Sequence, residues 1–571
     1  MNKKLSSFIP ILYWTDGYCL DDFRADFVAG VVVLFITVPQ VIAYAFLAGL
    51  PPQAGLYASL ASLIIYSLIG SSRTLAVGPT AIIAMMTLEV ASSFAVPGSE
   101  EYIQITVKLG FITGILLLIL RLVNFGNIIS FLSHAVVTGF ITAAAIVIVV
   151  NQLPPLVGLS SSASTTVFGV FSYLGAHNVN TVVLIISLFS FMVLIFCRSG
   201  LGTLFLSFGF SKAWLSVLSK SAPMYMIIGG ITVTSLYKLD ELSGVPVVGS
   251  VPAGLPVISL VSFSLAEVRE LLPSALLIAM VVFMESISIG SAMASKRREK
   301  ISPNRELVGL GFTNIGASVW GGFPVAGSFS RTAVNFTSGA RTPIASIITA
   351  MFLVLTLCFF ASTFYFLPKA VLSAIIVFSA LQLIDFSAIR KIFAFNYSDA
   401  VTFSFTFFAV LIFGVESGIL TGIVISFVLL IRSSSRPHIA VVGRVGESEH
   451  FRNVLRYEVT TSSSLLAARI DESLYFVNAR YIEAFFLNEV ADRPDVRDVL
   501  IICTATNFID TSGLEMIEAL SENLEEVGVK LHLAEVKGPV MDKLMGTDFY
   551  RRMKGEIFFT TDLAFQKLGD I

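Results

Sequence analysis

The sequence predicts a polytopic α-helical membrane protein of 14 segments, arranged as a seven-plus-seven inverted repeat, with a small cytoplasmic α/β domain after it. Three observations predict this. The first is composition. The chain has 571 residues, 55% hydrophobic and only 13% charged, with a mean hydropathy of +0.84, whereas a soluble domain is about 25% charged. The average conceals two regions: residues 1–436 hold 40 of the 76 charged residues, about 9% of their length, and residues 437–571 hold 36, about 27%. The second is a series of apolar runs of roughly spanning length in the first region. The third is the sidedness of the cations between those runs.

The apolar runs lie near 27–48, 54–70, 77–93, 103–122, 132–152, 181–197, 223–239, 272–294, 305–321, 325–340, 342–362, 368–385, 398–415 and 417–432. The third and tenth are too short or too broken by Gly and Pro to be continuous helices. With the N-terminus inside, the inside loops and segment ends carry 18 cations: Lys3, Lys4, Arg24, Arg73, Arg121, Arg198, Lys212, Lys220, Lys296, Arg297, Arg298, Lys300, Arg305, Arg341, Arg390, Lys391, Arg432 and Arg436. Outside are four, Lys108, Lys238, Arg269 and Lys369. A missed or extra helix would scramble that asymmetry, so it supports the even count, cytoplasmic termini and a cytoplasmic tail. Seven segments per half is an odd number, which inverts one half relative to the other and makes the two broken segments symmetry mates. The start, MNKKLSSFIPILYW, lacks the short apolar core and small-residue cleavage site of a secretory signal, so no cleaved leader is expected.

In the tail, Ser473–Asn478 reads as a strand and Ala479–Ala491 as an amphipathic helix. Val499–Cys503 reads as a buried strand, about 513–527 as a helix opened by Asp510-Thr-Ser-Gly513, Lys530–Ala534 as a strand, and Gly538–Leu544 as a helix start. Strands alternating with helices imply an α/β domain. Cys19, Cys197, Cys358 and Cys503 are scattered and the five histidines have no ligand spacing, which predicts no metal, cofactor or disulfide framework. The cations form no basic patch, so no nucleic-acid partner is expected.

One cation of the 23 in the membrane region is assigned to neither a loop nor a segment end: Arg331, in Gly321-Gly-Phe-Pro-Val-Ala-Gly-Ser-Phe-Ser-Arg331. A charge at membrane depth is expensive and marks a functional site by default. Segment three should run extended to Gly78-Pro79 and then turn helical, and segment ten extended through Phe323–Gly327 and then helical. Inverted symmetry brings the two helix N-termini together near the midplane, where their unpaired N–H groups and partial positive charge, with Arg331, make an anion site. The alternative is a pair of ordinary kinks with Arg331 tied to backbone carbonyls. Gln40, mid-segment beside Pro39, and Tyr44, one turn on, are candidate anion donors or interhelical glue. Glu285 reads as the clearest buried carboxylate of the second half, and a Glu285–Arg331 pair that opens and closes with substrate would carry a proton, the alternative being a static pair. Glu89 is a second candidate for that role.

The chain resembles the SulP (sulfate permease) family of anion transporters over nearly its whole length. The resemblance rests on Val38-Pro-Gln-Val-Ile-Ala-Tyr-Ala45, Leu50-Pro-Pro52, Gly55-Leu-Tyr57, Gly70-Ser-Ser-Arg73, Gly78-Pro79, Glu285, Asn304-Arg-Glu-Leu307, Phe323–Arg331 and Gly339-Ala-Arg-Thr342. The tail looks like a STAS domain, with Asp510-Thr-Ser-Gly-Leu514 matching the signature of anti-sigma-factor antagonists. The resemblance implies a UraA/SulP-like fold, with a core of segments 1–4 and 8–11 moving against a gate of 5–7 and 12–14. It also implies a homodimer, elevator-type alternating access, a transporter rather than an enzyme, and a location in the cell (inner) membrane. It places Gln40, Tyr44, Thr80, Ala81, Phe329, Ser330 and Arg331 on the anion pocket, Glu285 at a proton-coupling position, and Ser512 at the antagonists' phosphoserine, for which helix capping is the alternative role. The expected function is proton-coupled secondary transport of sulfate, bicarbonate or dicarboxylate through a lipid bilayer, with a cytoplasmic partner for the tail. The alternatives are an uncoupled exchanger or channel, sodium-coupled bicarbonate uptake with Ser286 and Ser288 as cation ligands, nucleobase uptake, and a membrane-anchored signalling protein.

Overall fold

An uncharged apolar run in a bilayer must satisfy every backbone N–H and C=O within itself, so it folds as a helix. The computed structural model describes residues 10–14, 17–127, 133–159, 167–199, 221–258 and 262–569; Lys3, Lys4, Lys212 and Lys220 lie outside the described residues. Each of the fourteen expected segments contains a helix. They are α1 (Leu20–Leu47), α2 (Pro52–Ile69), α3 (Ala81–Ser92), α4 (Glu100–Leu122), α5 (His134–Asn151), α6 (Thr181–Ser199) and α7 (Ala222–Tyr237), then α8 (Leu265–Arg297), α9 (Pro303–Val319), α10 (Phe329–Thr337), α11 (Ile344–Leu355), α12 (Lys369–Leu381), α13 (Tyr397–Phe413) and α14 (Val415–Ser435). The chain divides into two compact units, Met1–Val424 and Ile425–Ile571.

The broken segments are the third of each half. In both, a two-residue strand precedes a short helix: β1 (Val77–Gly78) before α3 and β2 (Ala326–Gly327) before α10. The strands pair antiparallel, Val77 with Gly327 and Gly78 with Ala326. Antiparallel strands send their following helices in opposite directions, so the two helix N-termini meet.

Two boundaries differ from expectation. Helix α8 begins at Leu265, earlier than the apolar run, because Ser264 and Glu267 form a capping box: Glu267 N–H donates to Ser264 Oγ (3.2 Å) and Ser264 N–H to Glu267 Oε2 (2.9 Å). A separate helix, Phe386–Phe395, follows α12 where a loop was expected; Asp385 caps it by accepting from Ser387 and Ala388 N–H.

Small residues let the helices approach closely. A Cβ on Gly55 of α2 would lie 2.1 Å from the Val41 carbonyl of α1, and one on Gly114 of α4 would lie 2.7 Å from the Gly311 carbonyl of α9. Two buried carboxylates pin connecting loops. Asp26 accepts from Arg341 N–H (2.6 Å), Thr342 N–H (3.1 Å), Thr342 Oγ1 (2.5 Å) and Tyr18 OH (3.1 Å). Glu306 accepts from Tyr66 OH (2.8 Å), Ser71 N–H (2.9 Å) and Ser71 Oγ (2.5 Å). A fully buried carboxylate survives only when so satisfied.

The second unit is built on a six-stranded sheet ordered β4-β3-β5-β6-β7-β8. The strands are β3 (Ile439–Arg444), β4 (Phe451–Asn453), β5 (Leu465–Ile470), β6 (Asp498–Ile502), β7 (Lys530–Ala534) and β8 (Ile557–Phe558). Strands β5 through β8 are parallel, and β3 is antiparallel to both neighbours. Helices α15 (Ala479–Ala491), α16 (Thr511–Glu526), α17 (Gly538–Met545) and α18 (Thr561–Leu568) cover it. Residues 473–478, expected as a strand, make only a single bridge from Leu474 to Ile509. Asn478 bends them into a turn, accepting from Tyr475 N–H (3.1 Å) and donating to the Ser473 carbonyl (2.8 Å). The strand lies earlier, at β5, whose Ala467-Ala468 pair gives a weak β signal.

Candidate functional site

Where α3 and α10 begin, the first intrahelical backbone bonds run from Ala84 N–H to the Thr80 carbonyl (2.9 Å) and from Thr332 N–H to the Ser328 carbonyl (3.0 Å). The N–H groups ahead of them have no acceptor within their own helix. Both ends look into a cavity of about 490 Å³. One wall comes from α1, α3, α8 and α10 and carries Gln40, Tyr44, Thr80, Glu285 and Ser330; the facing wall, from α6, α7 and α12, carries Leu194, Arg198, Pro223, Phe378 and Ser379.

The first wall is hydrogen-bonded within itself. Gln40 Nε2 donates to Ser330 Oγ (3.3 Å), linking α1 to α10. Thr80 Oγ1 donates to Glu285 Oε2 (3.4 Å), linking the start of α3 to α8. Ala81 and Phe329 are the first residues of the two helices and also line the cavity, Phe329 with 56% of its surface exposed. Six of the seven expected pocket residues, and Glu285, therefore share one cavity.

Arg331 does not line it. Its side chain is 1% exposed and turns away from the cavity, donating from Nη2 to the Pro79 carbonyl (2.6 Å), with Nη1 against Gly78. Helical periodicity is the cause. Thr332 and Asn335 lie beside Arg331 on the side of α10 away from the cavity, Asn335 one turn on from both. That face grips the extended stretch before α3: Ser328 N–H donates to the Ala76 carbonyl (2.9 Å), Ala76 N–H to Thr332 Oγ1 (3.0 Å), and Asn335 Nδ2 to the Thr74 carbonyl (3.0 Å). Ser328, Ser330 and Ala333 line the cavity instead. Arg331 Nε and Nη1 are buried without a hydrogen-bond partner. The guanidinium is thus a charge placed behind the wall, close enough to Tyr44 and Glu285 to interact with them electrostatically. No Glu285–Arg331 ion pair is formed, since Glu285 bonds Thr80 and Arg331 bonds a carbonyl.

Glu285 is not the most buried carboxylate of the second half; Glu306 is, at 0% exposure. Glu89 lies away from the cavity: its Oε2 accepts from Val415 N–H (3.1 Å) and caps α14, and its Oε1 would be 2.2 Å from a Cβ on Gly414. Ser286 donates to the Val282 carbonyl (2.6 Å) and accepts from Gly327 N–H (2.8 Å), so its hydroxyl pins β2 to α8 rather than facing a cation. Asn314 does the same from α9 with two bonds to Val325, at 2.9 and 3.1 Å. These positioning residues escape sequence reasoning because a polar residue in an apolar run does not show which backbone it meets. Helical spacing within Phe329–Thr337 could have shown Arg331 and Asn335 on one face. In the tail, Asp510 caps α16, accepting from Gly513 N–H (2.8 Å), so the capping role considered for Ser512 belongs to Asp510 and Ser512 stands in the first helical turn.

Comparison with known proteins agrees with this architecture. Residues 23–406 match the model of the sulfate permease family and residues 456–564 that of the STAS domain. The chain is 30% identical over 569 residues to "Probable sulfate transporter 4.2" of Arabidopsis thaliana, covering 97% of this chain and 82% of that protein. Its fold matches that of the murine Slc26a9 anion transporter, described as inward-facing, with a TM-score of 0.89 at 20% identity, covering 99% of this chain and 95% of the other. It also matches the transmembrane domain of the cyanobacterial bicarbonate transporter BicA, with a TM-score of 0.60 at 22% identity over 71% of this chain and 98% of that one. The chain is a multi-pass membrane protein belonging to the sulfate permease family, with a C-terminal STAS domain.

Proposed function

We propose that this protein is a secondary transporter of small oxyanions, coupled to protons, that binds its substrate in the cavity between the α3 and α10 N-termini. The observation that carries the reading is that cavity. Two helix ends and the hydroxyl and amide groups of Gln40, Tyr44, Thr80 and Ser330 face it, with the buried Arg331 charge behind them. Converging helix N-termini suit an anion without further ligands. Residues Gln40, Tyr44, Thr80, Ala81, Phe329 and Ser330 contact the anion, and Arg331 acts on it through the wall. Glu285 shares the cavity, and like charges disfavour one another, so an anion entering beside it is accompanied by a proton. The sulfate transporters among the relatives make sulfate the first substrate to test.

The cavity has one wall on α1, α3, α8 and α10 and the other on α6, α7 and α12. Sliding the first set against the second carries the site across the bilayer, an elevator with core α1–α4 and α8–α11 and gate α5–α7 and α12–α14. In this scheme residues 1–436 transport as a homodimer in the cell membrane. Residues 437–571 face the cytoplasm, where a phosphate on Ser512 or a bound partner regulates flux.

Uptake of sulfate, bicarbonate and dicarboxylates into proteoliposomes, with and without an imposed pH gradient, tests the reading. Sulfate flux that follows the proton gradient is expected, and absence of flux for every anion would sink it. Arg331→Ala should abolish flux while the purified protein stays monodisperse. Glu285→Gln should leave exchange intact and remove the pH dependence; a pH-independent flux in the unmodified protein would instead favour an uncoupled exchanger or channel.

A further inference from the structure

Arg198 stands at the last turn of α6, where sequence patterning treats it as a topology signal. It lines the cavity on the wall opposite Gln40, Glu285 and Ser330, with its guanidinium 5.8 Å from the ring centroid of Phe378 on α12. Arg331 is behind the other wall, so Arg198 is the one cationic side chain among the described residues lining the cavity, and Glu285 the one carboxylate. Arg198 is exposed and belongs to the same wall as Ser379 and Gln382. An incoming anion meets an exposed cation on one wall and the hydroxyl and amide donors, with Glu285, on the other.

We infer that Arg198 is a specificity-determining residue that draws anions to the site and favours dianions over monoanions. The inference rests on the cavity being the anion site. A charge acts on a dianion with twice the energy it exerts on a monoanion in the same place. The fold-change in affinity on removing it is therefore squared. An exposed charge contributes modestly, so Arg198→Gln should weaken a monoanion about two-fold and a dianion about four-fold. The neutral donors of the first wall carry no such charge selectivity. The contact with Phe378 keeps the guanidinium at the wall without neutralising it.

The field of an exposed charge is also screened by salt, with a Debye length of about 10 Å at 0.1 M and about 3 Å at 1 M. The preference for dianions should thus fade as ionic strength rises in the unmodified protein, and be nearly flat with salt in Arg198→Gln. Arg198→Lys keeps the charge and should keep the preference.

The test uses full-length protein in detergent, where both faces are accessible, and radiolabelled sulfate displaced by unlabelled sulfate or bicarbonate at low and high ionic strength. Four proteins are compared: unmodified, Arg198→Gln, Arg198→Lys and Gln40→Leu, each checked for monodispersity. The inference predicts that Arg198→Gln weakens sulfate about four-fold and bicarbonate about two-fold at low salt, that the difference vanishes at high salt, and that Arg198→Lys restores it. It is overturned if Arg198→Gln weakens both anions equally, or neither while Gln40→Leu weakens sulfate; in that case the cavity still stands as the site. If neither Arg198→Gln nor Gln40→Leu changes displacement, the cavity reading fails and this inference falls with it.

Discussion

A buried guanidinium with two unpartnered nitrogens needs a compensating negative partner or a reason to lack one. Arg331 has only the Pro79 carbonyl, and its Nη1 rests against Gly78, where a Cβ would come to 3.1 Å. A side chain at residue 78 would press on the guanidinium, and Gly78→Val should displace it. The expected outcome is a loss of sulfate binding of at least about ten-fold, equivalent to about 1.4 kcal/mol, with little change in expression; unchanged binding would show that Arg331 acts only as a structural tie. In the second unit, Cys503 is fully enclosed at the end of β6, and burial pushes its thiol up to about 12. The thiol, not the thiolate, is then present at neutral pH. Cys503 should resist maleimide at pH 8 in folded protein and react promptly once denatured, which mass spectrometry of labelled peptides would read.

At the scale of elements, α14 depends on a carboxylate from α3. Glu89 accepts the Val415 N–H at the start of α14, and Glu416 of the same turn accepts from Ser274 Oγ of α8 (2.9 Å). Both bonds join the helices assigned to the core to one assigned to the gate. Loss of a capping acceptor costs about 0.5–2 kcal/mol. Glu89→Ala should lower the melting temperature of the purified protein and, in an elevator, raise the rate of the core's movement by loosening one of its end states. Faster counterflow with a lower melting temperature is the expected pair, and a slower counterflow would argue against a core-to-gate latch. The interrupted elements were legible because Gly78-Pro79 and Phe323-Pro324 break two apolar runs at matching places in the halves. The helix Phe386–Phe395 was not, because a short apolar stretch with Arg390 and Lys391 reads as a loop between segments. Strand β5 and the turn at 473–478 were exchanged for a related reason: local alternation does not register a side chain such as Asn478 bonding back to its own backbone.

At the scale of the molecule, the membrane unit contains the whole cavity, with each lining residue between Ile36 and Leu383. Protein truncated before Pro437 and reconstituted should therefore still bind and carry sulfate, though at an altered maximal rate if the STAS domain regulates it. Flux lost on truncation, with sulfate binding retained, would assign the tail an obligatory part in the transport cycle. The sequence by itself determined the succession of helical membrane segments, the two broken ones among them and the α/β tail. All of these follow from periodicity, charge spacing and the demand that buried backbone be satisfied, which act along the chain. Only the tertiary structure decided that Arg331 turns behind one wall, that Arg198 lines the other, that Glu306 is the deepest carboxylate of the second half, and that Glu89 caps a distant helix. Those outcomes depend on which face of one helix meets which stretch of another, hundreds of residues away, and a side chain's local sequence carries no record of that neighbour.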